Sequence, residues 1–228
     1  MSIKHAAEKE GIVVVNKPSG MTSHDVVSCV RRIFKMRRVG HAGTLDPLAT
    51  GVLVILLGKS TKLFGKFEGF DKAYKATMIF GTRTTTADIQ GKVVEQVPFE
   101  HLTRSQVENA LKEFIGEVEQ VPPMVSAVKR NGKRLYELAR KGIEVAREAR
   151  KIRIDKLQLI DFNLPKAQFY LECSKGTYVR KLAEDIAEKL GCVACIAQIE
   201  RTSVGPFEIN QAVRLEDLKE EHIRRWSG

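Results

Sequence analysis

Apolar residues recur along this chain in blocks whose internal spacing changes from one block to the next. The run GIVVVNK at residues 11–17 is apolar and is closed by Pro18-Ser19-Gly20, which predicts a buried strand ending in a turn. Residues 22–34, TSHDVVSCVRRIF, place apolar positions at helical spacing behind a Ser or Thr cap and predict a helix. After the basic link KMRRVG, the run GVLVILLG at 51–58 reads as a second buried strand. STKLFGKFEG at 60–69 predicts a helix, and KAYKATMIFG at 72–81 alternates as a strand does. Polar RTTTADIQG precedes a β-rich KVVEQVPF, and residues 103–120, TRSQVENALKEFIGEVEQ, predict an amphipathic helix with Thr103 as its N-cap. KIRIDKLQLIDFNLP and AQFYLECSKG read as paired strands. TYVRKLAEDIAEKLG is a helix stopped by glycine, and CIAQIERTSVGPFEI is a strand and turn. The order β-α-β-α-β-β-α-β-β-α-β predicts an α+β fold, with a mixed, mainly antiparallel central sheet flanked by helices and loops. No internal repeat or low-complexity linker interrupts it, so residues 1–228 read as one domain.

Composition narrows the function. With 43% apolar residues in 228, the chain can bury roughly 70% of its unfolded surface. Lys and Arg outnumber Asp and Glu by 38 to 28, a formal charge of +10 that favours a polyanionic partner. The excess is concentrated. Residues 129–153 hold ten bases against three acids, inside a proline-marked segment at about 121–153 that also contains an Asn131-Gly132 turn and a short helix. Arg31, Arg32, Lys35, Arg37 and Arg38 form a second cluster. Two dense clusters read as an electrostatic footprint for nucleic acid. The longest apolar run is far shorter than the roughly 20 residues of a spanning helix, and the polar start MSIKHAAEKE is neither signal peptide nor anchor. The expectation is a cytoplasmic protein with no membrane partner.

Two motifs are set aside. Cys192 and Cys195 form a C-x-x-C pair, but a zinc site needs a second pair, so the cysteines read as packed apolar residues and no metal is expected. LLGKST resembles half of a P-loop, yet Leu53 stands where the pattern requires glycine, so no nucleotide cofactor is expected.

The stretch RVGHAGTLDPLATGVL, residues 38–53, sets His41, Thr44 and Asp46 among glycines that let a partner approach the backbone. Locally, Asp46-Pro47 is also an ordinary start for a short turn, and spacing alone leaves both roles open for the aspartate.

Resemblance adds a second line of argument. GHAGTLDPLATGVL resembles the signature of the pseudouridine synthases of the bacterial tRNA pseudouridine-55 class. NKPSGMTSHDVV, KAYKATMIFG, VPPMVSAVKRNGKRLYELARKGIEVAREAR, SKGTYVRKLAEDIAEKLG and RTSVGPF are similar to further segments of that family, in the same order. The resemblance implies a pseudouridine-synthase fold that isomerises the T-loop uridine at position 55 of tRNA by base flipping and aspartate-dependent cleavage and re-formation of the glycosidic bond. Carried over, it makes Asp46 the essential carboxylate, Arg180 the arginine that pairs with it, and Tyr74 the ring that stacks on the target base. Tyr178 lies beside them, Ile199 stands at an aliphatic wall, His41 helps hold the base out, and Lys17 with Pro18 supports the floor. Lys129, Arg130, Lys133, Arg134, Arg140 and Lys141 would grip phosphates. The chain departs from the family at Val125, where an aromatic is common, and at Thr85, where an acid is usual. No cofactor or metal is implied. A monomer acting on the T-loop and T-stem is expected, without the C-terminal PUA-type RNA-binding domain that relatives often carry. The alternatives are a non-catalytic tRNA-binding or folding chaperone on the same scaffold, and a guide-dependent relative acting on ribosomal RNA.

Overall fold

The first apolar run folds as β1 (Gly11–Lys17), and the computed structural model describes residues 9–226 apart from 127, 128, 131, 140 and 141. The chain continues through α1 (Ser23–Phe34), β2 (Val39–Ala42), β3 (Thr50–Leu57), α2 (Phe64–Glu68), β4 (Lys72–Phe80), β5 (Thr82–Thr84) and β6 (Val93–Gln96). Next come α3 (Arg104–Glu113), β7 (Gly116–Gln120), β8 (Lys129–Arg130), β9 (Lys133–Arg134) and α4 (Leu135–Ala139). The last elements are β10 (Arg150–Asn163), β11 (Lys166–Cys173), α5 (Val179–Lys189), β12 (Ala194–Val204), β13 (Phe207–Glu208) and β14 (Val213–Arg214). This is the expected α+β fold, with strands paired mainly antiparallel. The residues group into two compact units, Met1–Lys72 with Glu200–Gly228, and Ala73–Ile199.

In the first unit β3 is the axis. It runs antiparallel to β1 along its whole length, from Gly11↔Leu57 to Lys17↔Gly51, and its other edge takes β2 and then the end of β12, in parallel at Glu200 and Arg201. With both edges paired and both faces covered, Val52 to Leu57 are fully buried, which explains their unbroken apolar sequence. Ile12, Val14, Val52, Val54 and Leu56 pack with Phe67, Val204 and Phe207. The Phe67 ring lies 5.1–5.9 Å from the rings of Phe70, Phe207 and Trp226. α1 starts at the cap the sequence predicts: the Thr22 hydroxyl accepts from Asp25 N–H while the Asp25 carboxylate accepts from Thr22 N–H. The chain end returns to the same sheet, where β14 lies parallel to β1 and Arg224 bridges Ile12.

In the second unit the strand order is β12–β4–β11–β10–β7. β10 and β11 form the expected antiparallel pair, and their alternating burial matches their alternating sequence. One expectation is corrected here. The helix over 103–120 is too long: α3 ends at Glu113, Gly116 takes φ +109°, and residues 116–120 form β7 against β10. The helix expected over 60–69 opens as a 3-10 turn, Gly58–Leu63, and continues as the five residues of α2.

Candidate active site

Asp46 sits in the loop between β2 and β3, and the backbone of that loop is held from within the first unit by two buried cations. Arg201, on β12, is 1% exposed. Its Nε donates to the Val52 carbonyl at 2.8 Å, one terminal nitrogen to the Gly43 carbonyl at 3.0 Å and the other to the Thr44 carbonyl at 3.4 Å. One planar fork therefore joins the entry of the loop to its exit. Gly51 permits this. It has φ +100°, and a Cβ there would lie 2.3 Å from the Arg201 carbonyl oxygen.

Lys17, at the end of β1, is the second cation and is fully buried. Its Nζ donates to the carbonyls of Met21 at 2.6 Å, Pro18 at 2.8 Å and Pro47 at 3.3 Å. Burial pushes its pKa down to about 8, opposed by the nearby Asp46 carboxylate and reinforced by Arg201. Four further bonds complete the seat. Gly20 N–H donates to the Pro47 carbonyl at 2.8 Å, the Ser19 hydroxyl donates to Leu48, and the buried Ser23 hydroxyl both donates to the Leu45 carbonyl and accepts its N–H. The loop is fixed through main-chain groups on both sides of Asp46. The Asp46 side chain is half-buried. His41, on β2 opposite Ile55, precedes the same loop and is half-buried.

Arg180, Tyr178, Tyr74 and Ile199 belong to the second unit. Arg180 is 3% exposed in the first turn of α5. It donates to the Thr86 carbonyl at 2.6 Å and the Val125 carbonyl at 2.9 Å, and stands 3.9 Å from a carboxylate oxygen of Asp88. Asp88 is itself fixed, accepting from the Thr86 hydroxyl at 2.7 Å and Gln90 N–H at 3.0 Å. Its loop is stitched to β12 by Ile196 N–H donating to Ala87 and Ile89 N–H donating to Ile196. Tyr178 is the N-cap of α5, and Tyr74 on β4 and Ile199 on β12 are each 8% exposed.

The basic segment contributes the two-strand hairpin β8–β9, whose four residues are Lys129, Arg130, Lys133 and Arg134. Arg140 and Lys141 lie outside the described residues. Cys192 and Cys195 are buried free thiols, and burial pushes the Cys195 pKa up. Among the described residues no cluster of His, Cys, Asp and Glu has the makings of a metal site, and no helix is long and apolar enough to cross a membrane.

Arg201 and Gln120 were not singled out from the sequence. Arg201 had a signal, since it lies in step with Ile199 on the inward phase of β12, where a base is out of place unless it has buried acceptors. Gln120 had none, because its partner is 58 residues away.

The chain resembles known proteins along most of its length. Residues 31–179 match the family model for the TruB family pseudouridylate synthase N-terminal domain, and residues 180–226 match that for the tRNA pseudouridylate synthase B C-terminal domain. The chain is 50% identical over 208 residues to tRNA pseudouridine synthase B of Geotalea uraniireducens, covering 91% of this chain and 67% of that protein. It is 51% identical over 216 residues to the protein of the same name from Symbiobacterium thermophilum, covering 93% and 72%. Among solved structures, a Cbf5-Nop10-Gar1 complex contains a chain that superposes with a TM-score of 0.72 at 28% identity. That match takes in 94% of this chain but only 57% of the other. With the two family models matched one after the other over residues 31–226 and about half of the aligned residues identical to these synthases, the chain belongs to the TruB family of tRNA pseudouridine synthases, enzymes that isomerise uridine to pseudouridine.

Proposed function

We propose that this protein converts the T-loop uridine at position 55 of tRNA to pseudouridine, with Asp46 as the reacting carboxylate. The observation that carries the reading is the seat of Asp46: Lys17 and Arg201 hold its loop by main-chain carbonyls on both sides of the carboxylate, which fixes where Asp46 stands. The reaction breaks the glycosidic bond to N1, turns the base and joins C5 to the ribose carbon. C5 loses a proton and N1 carries one in the product, so the change is a net isomerisation. Nothing is oxidised and no group is imported, so a carboxylate and a means of holding the base suffice, with no metal or cofactor in the scheme.

The target uridine is stacked in an RNA loop, and everting it costs a few kcal/mol. In this reading Tyr74 stacks on the everted base and returns about 1–3 kcal/mol. His41 holds the base out of its loop, Ile199 and Tyr178 wall the pocket, and Arg180 pairs with Asp46 and orients it. The segment at about 121–153 clamps phosphates, fixing register without reading sequence. The protein acts as a monomer on the T-loop and T-stem, in the cytoplasm where tRNA is found.

The test is Asp46→Asn with tRNA tritiated at uracil C5. Because the loop is held by main-chain carbonyls, the variant should fold and bind tRNA as the parent does, yet release no tritium. Turnover by the variant would remove Asp46 from the central role. Wild-type binding without tritium release would leave only a tRNA-binding or folding protein, and modified positions mapped elsewhere than residue 55 would overturn the substrate.

A further inference from the structure

The three long helices among the described residues begin differently. α1 and α3 are started by their own sequence, through capping boxes in which Thr22 pairs with Asp25 and Thr103 with Gln106. The N-cap of α5 is Tyr178, whose side chain makes no capping bond, and no acid lies in the first turn. A helix start leaves its first N–H groups without partners, so a start lacking a local cap needs a tether from elsewhere.

Gln120 supplies one. It is the last residue of β7 and is 4% exposed. Its Oε1 accepts from Tyr178 N–H at 2.8 Å and its Nε2 donates to the Tyr178 carbonyl at 3.2 Å. The amide therefore grips the Tyr178 main chain by both its donor and its acceptor, as a neighbouring strand would, and fixes where α5 begins. Arg180 follows two residues later. The chain leaving Gln120 enters the basic segment and, at Val125, presents a carbonyl to the Arg180 guanidinium at 2.9 Å. The root of the segment thus touches the start of α5 twice, once through a side-chain amide and once through a main-chain carbonyl.

We infer that Gln120 is a positioning residue for Arg180: its amide sets the start of α5 and so the place of the guanidinium. The inference rests on Arg180 acting in the reaction, as proposed above. Asn and Asp are too short to repeat the two-point grip. Glu keeps the acceptor for Tyr178 N–H but sets a second oxygen against the Tyr178 carbonyl. Met fills the space with neither bond.

The experiment compares Gln120→Met, Gln120→Glu, Arg180→Lys and the two doubles with wild type, measuring kcat by tritium release, Kd for tRNA and thermal unfolding. A misplaced reactive group costs up to about a hundredfold in rate, so kcat should fall by about tenfold to a hundredfold for Gln120→Met, and less for Gln120→Glu, with Kd within about twofold of wild type. In the Arg180→Lys background the Gln120 changes should cost little more, because the residue they act through is already altered. Effects on kcat that multiply in the doubles overturn the inference, as does a loss confined to Kd, which would make Gln120 an anchor for the basic segment only. If Gln120→Met does not fold, Gln120→Glu and its double decide alone. Wild-type turnover combined with an Arg180→Lys variant of full activity would instead mean that the role given to Arg180 is wrong.

Discussion

At Lys17 two opposing effects meet on one nitrogen. Burial strips water from the ammonium, while three carbonyls and the Asp46 charge favour keeping it charged. Burial prevails, and the folded pKa falls from 10.5 to about 8. Below pH 8 both folded and unfolded chains carry the proton, and the folded state bears the full cost of a buried charge. As pH rises from about 8 toward 10.5, the folded protein releases that proton while the unfolded chain keeps it, so this residue's contribution to stability rises with pH. Integrated over the window the gain reaches up to about 3 kcal/mol. Urea unfolding of wild type and Lys17→Met at pH 7, 8.5 and 10 should show the difference moving steadily in favour of wild type. A flat difference would mean that Lys17 titrates at its ordinary value and that burial is not the dominant influence on it.

Among the elements, the meeting of β3 with β12 makes the sharpest demand on sequence. Gly51 pairs in parallel with Arg201, has φ +100°, and leaves room neither for a Cβ nor for a shift, since the nearest atoms are the Arg201 carbonyl at 2.3 Å and amide nitrogen at 2.8 Å. Gly51→Ala should destabilise by more than about 2 kcal/mol, because backbone conformation and space both oppose it. Gly65→Ala, in α2 with open space around it, should instead be neutral or stabilising by up to about 1 kcal/mol. Urea midpoints measure both, and equal effects would mean that β12 yields freely at Arg201. The same contrast explains what could be read from the sequence. β1, β3, α1 and the β10–β11 pair carry their own periodicity and caps, and each was legible. The segment Gly116–Gln120 was read as helix because its partner, β10, begins 30 residues later; only that pairing turns a glycine-broken helix end into a strand. β2 and β14 are short strands that exist through their partners β3 and β1. Asp46 was legible as a residue in a permissive loop, but the seat beneath it was not, because Arg201 reaches the loop from 158 residues away.

For the whole molecule, the charge is what a polyanion meets first. The net charge of +10 would by itself steer any RNA toward the protein, so the question is whether the basic segment adds contacts or only charge. The two give different salt dependences. Each phosphate contact releases counterions and contributes about 0.7–0.9 to the slope of log K against log salt, whereas a general field decays over a Debye length. Reversing Lys133, Arg134 and Lys141 to Glu should therefore weaken tRNA binding and flatten the slope by about 2 or more. The same charge change at Lys92, Lys112 and Lys166, exposed positions outside the segment, should weaken binding only slightly and leave the slope nearly as it was. Binding titrations between 50 and about 300 mM salt separate the two, a span over which several contacts change affinity by orders of magnitude. Equal slopes for the two triple variants would mean that the segment is a solvated basic face and that the grip on tRNA lies elsewhere. A flattened slope confined to the first would make it the clamp, and Gln120, at its root, would then join the part that holds the RNA to the helix that carries Arg180.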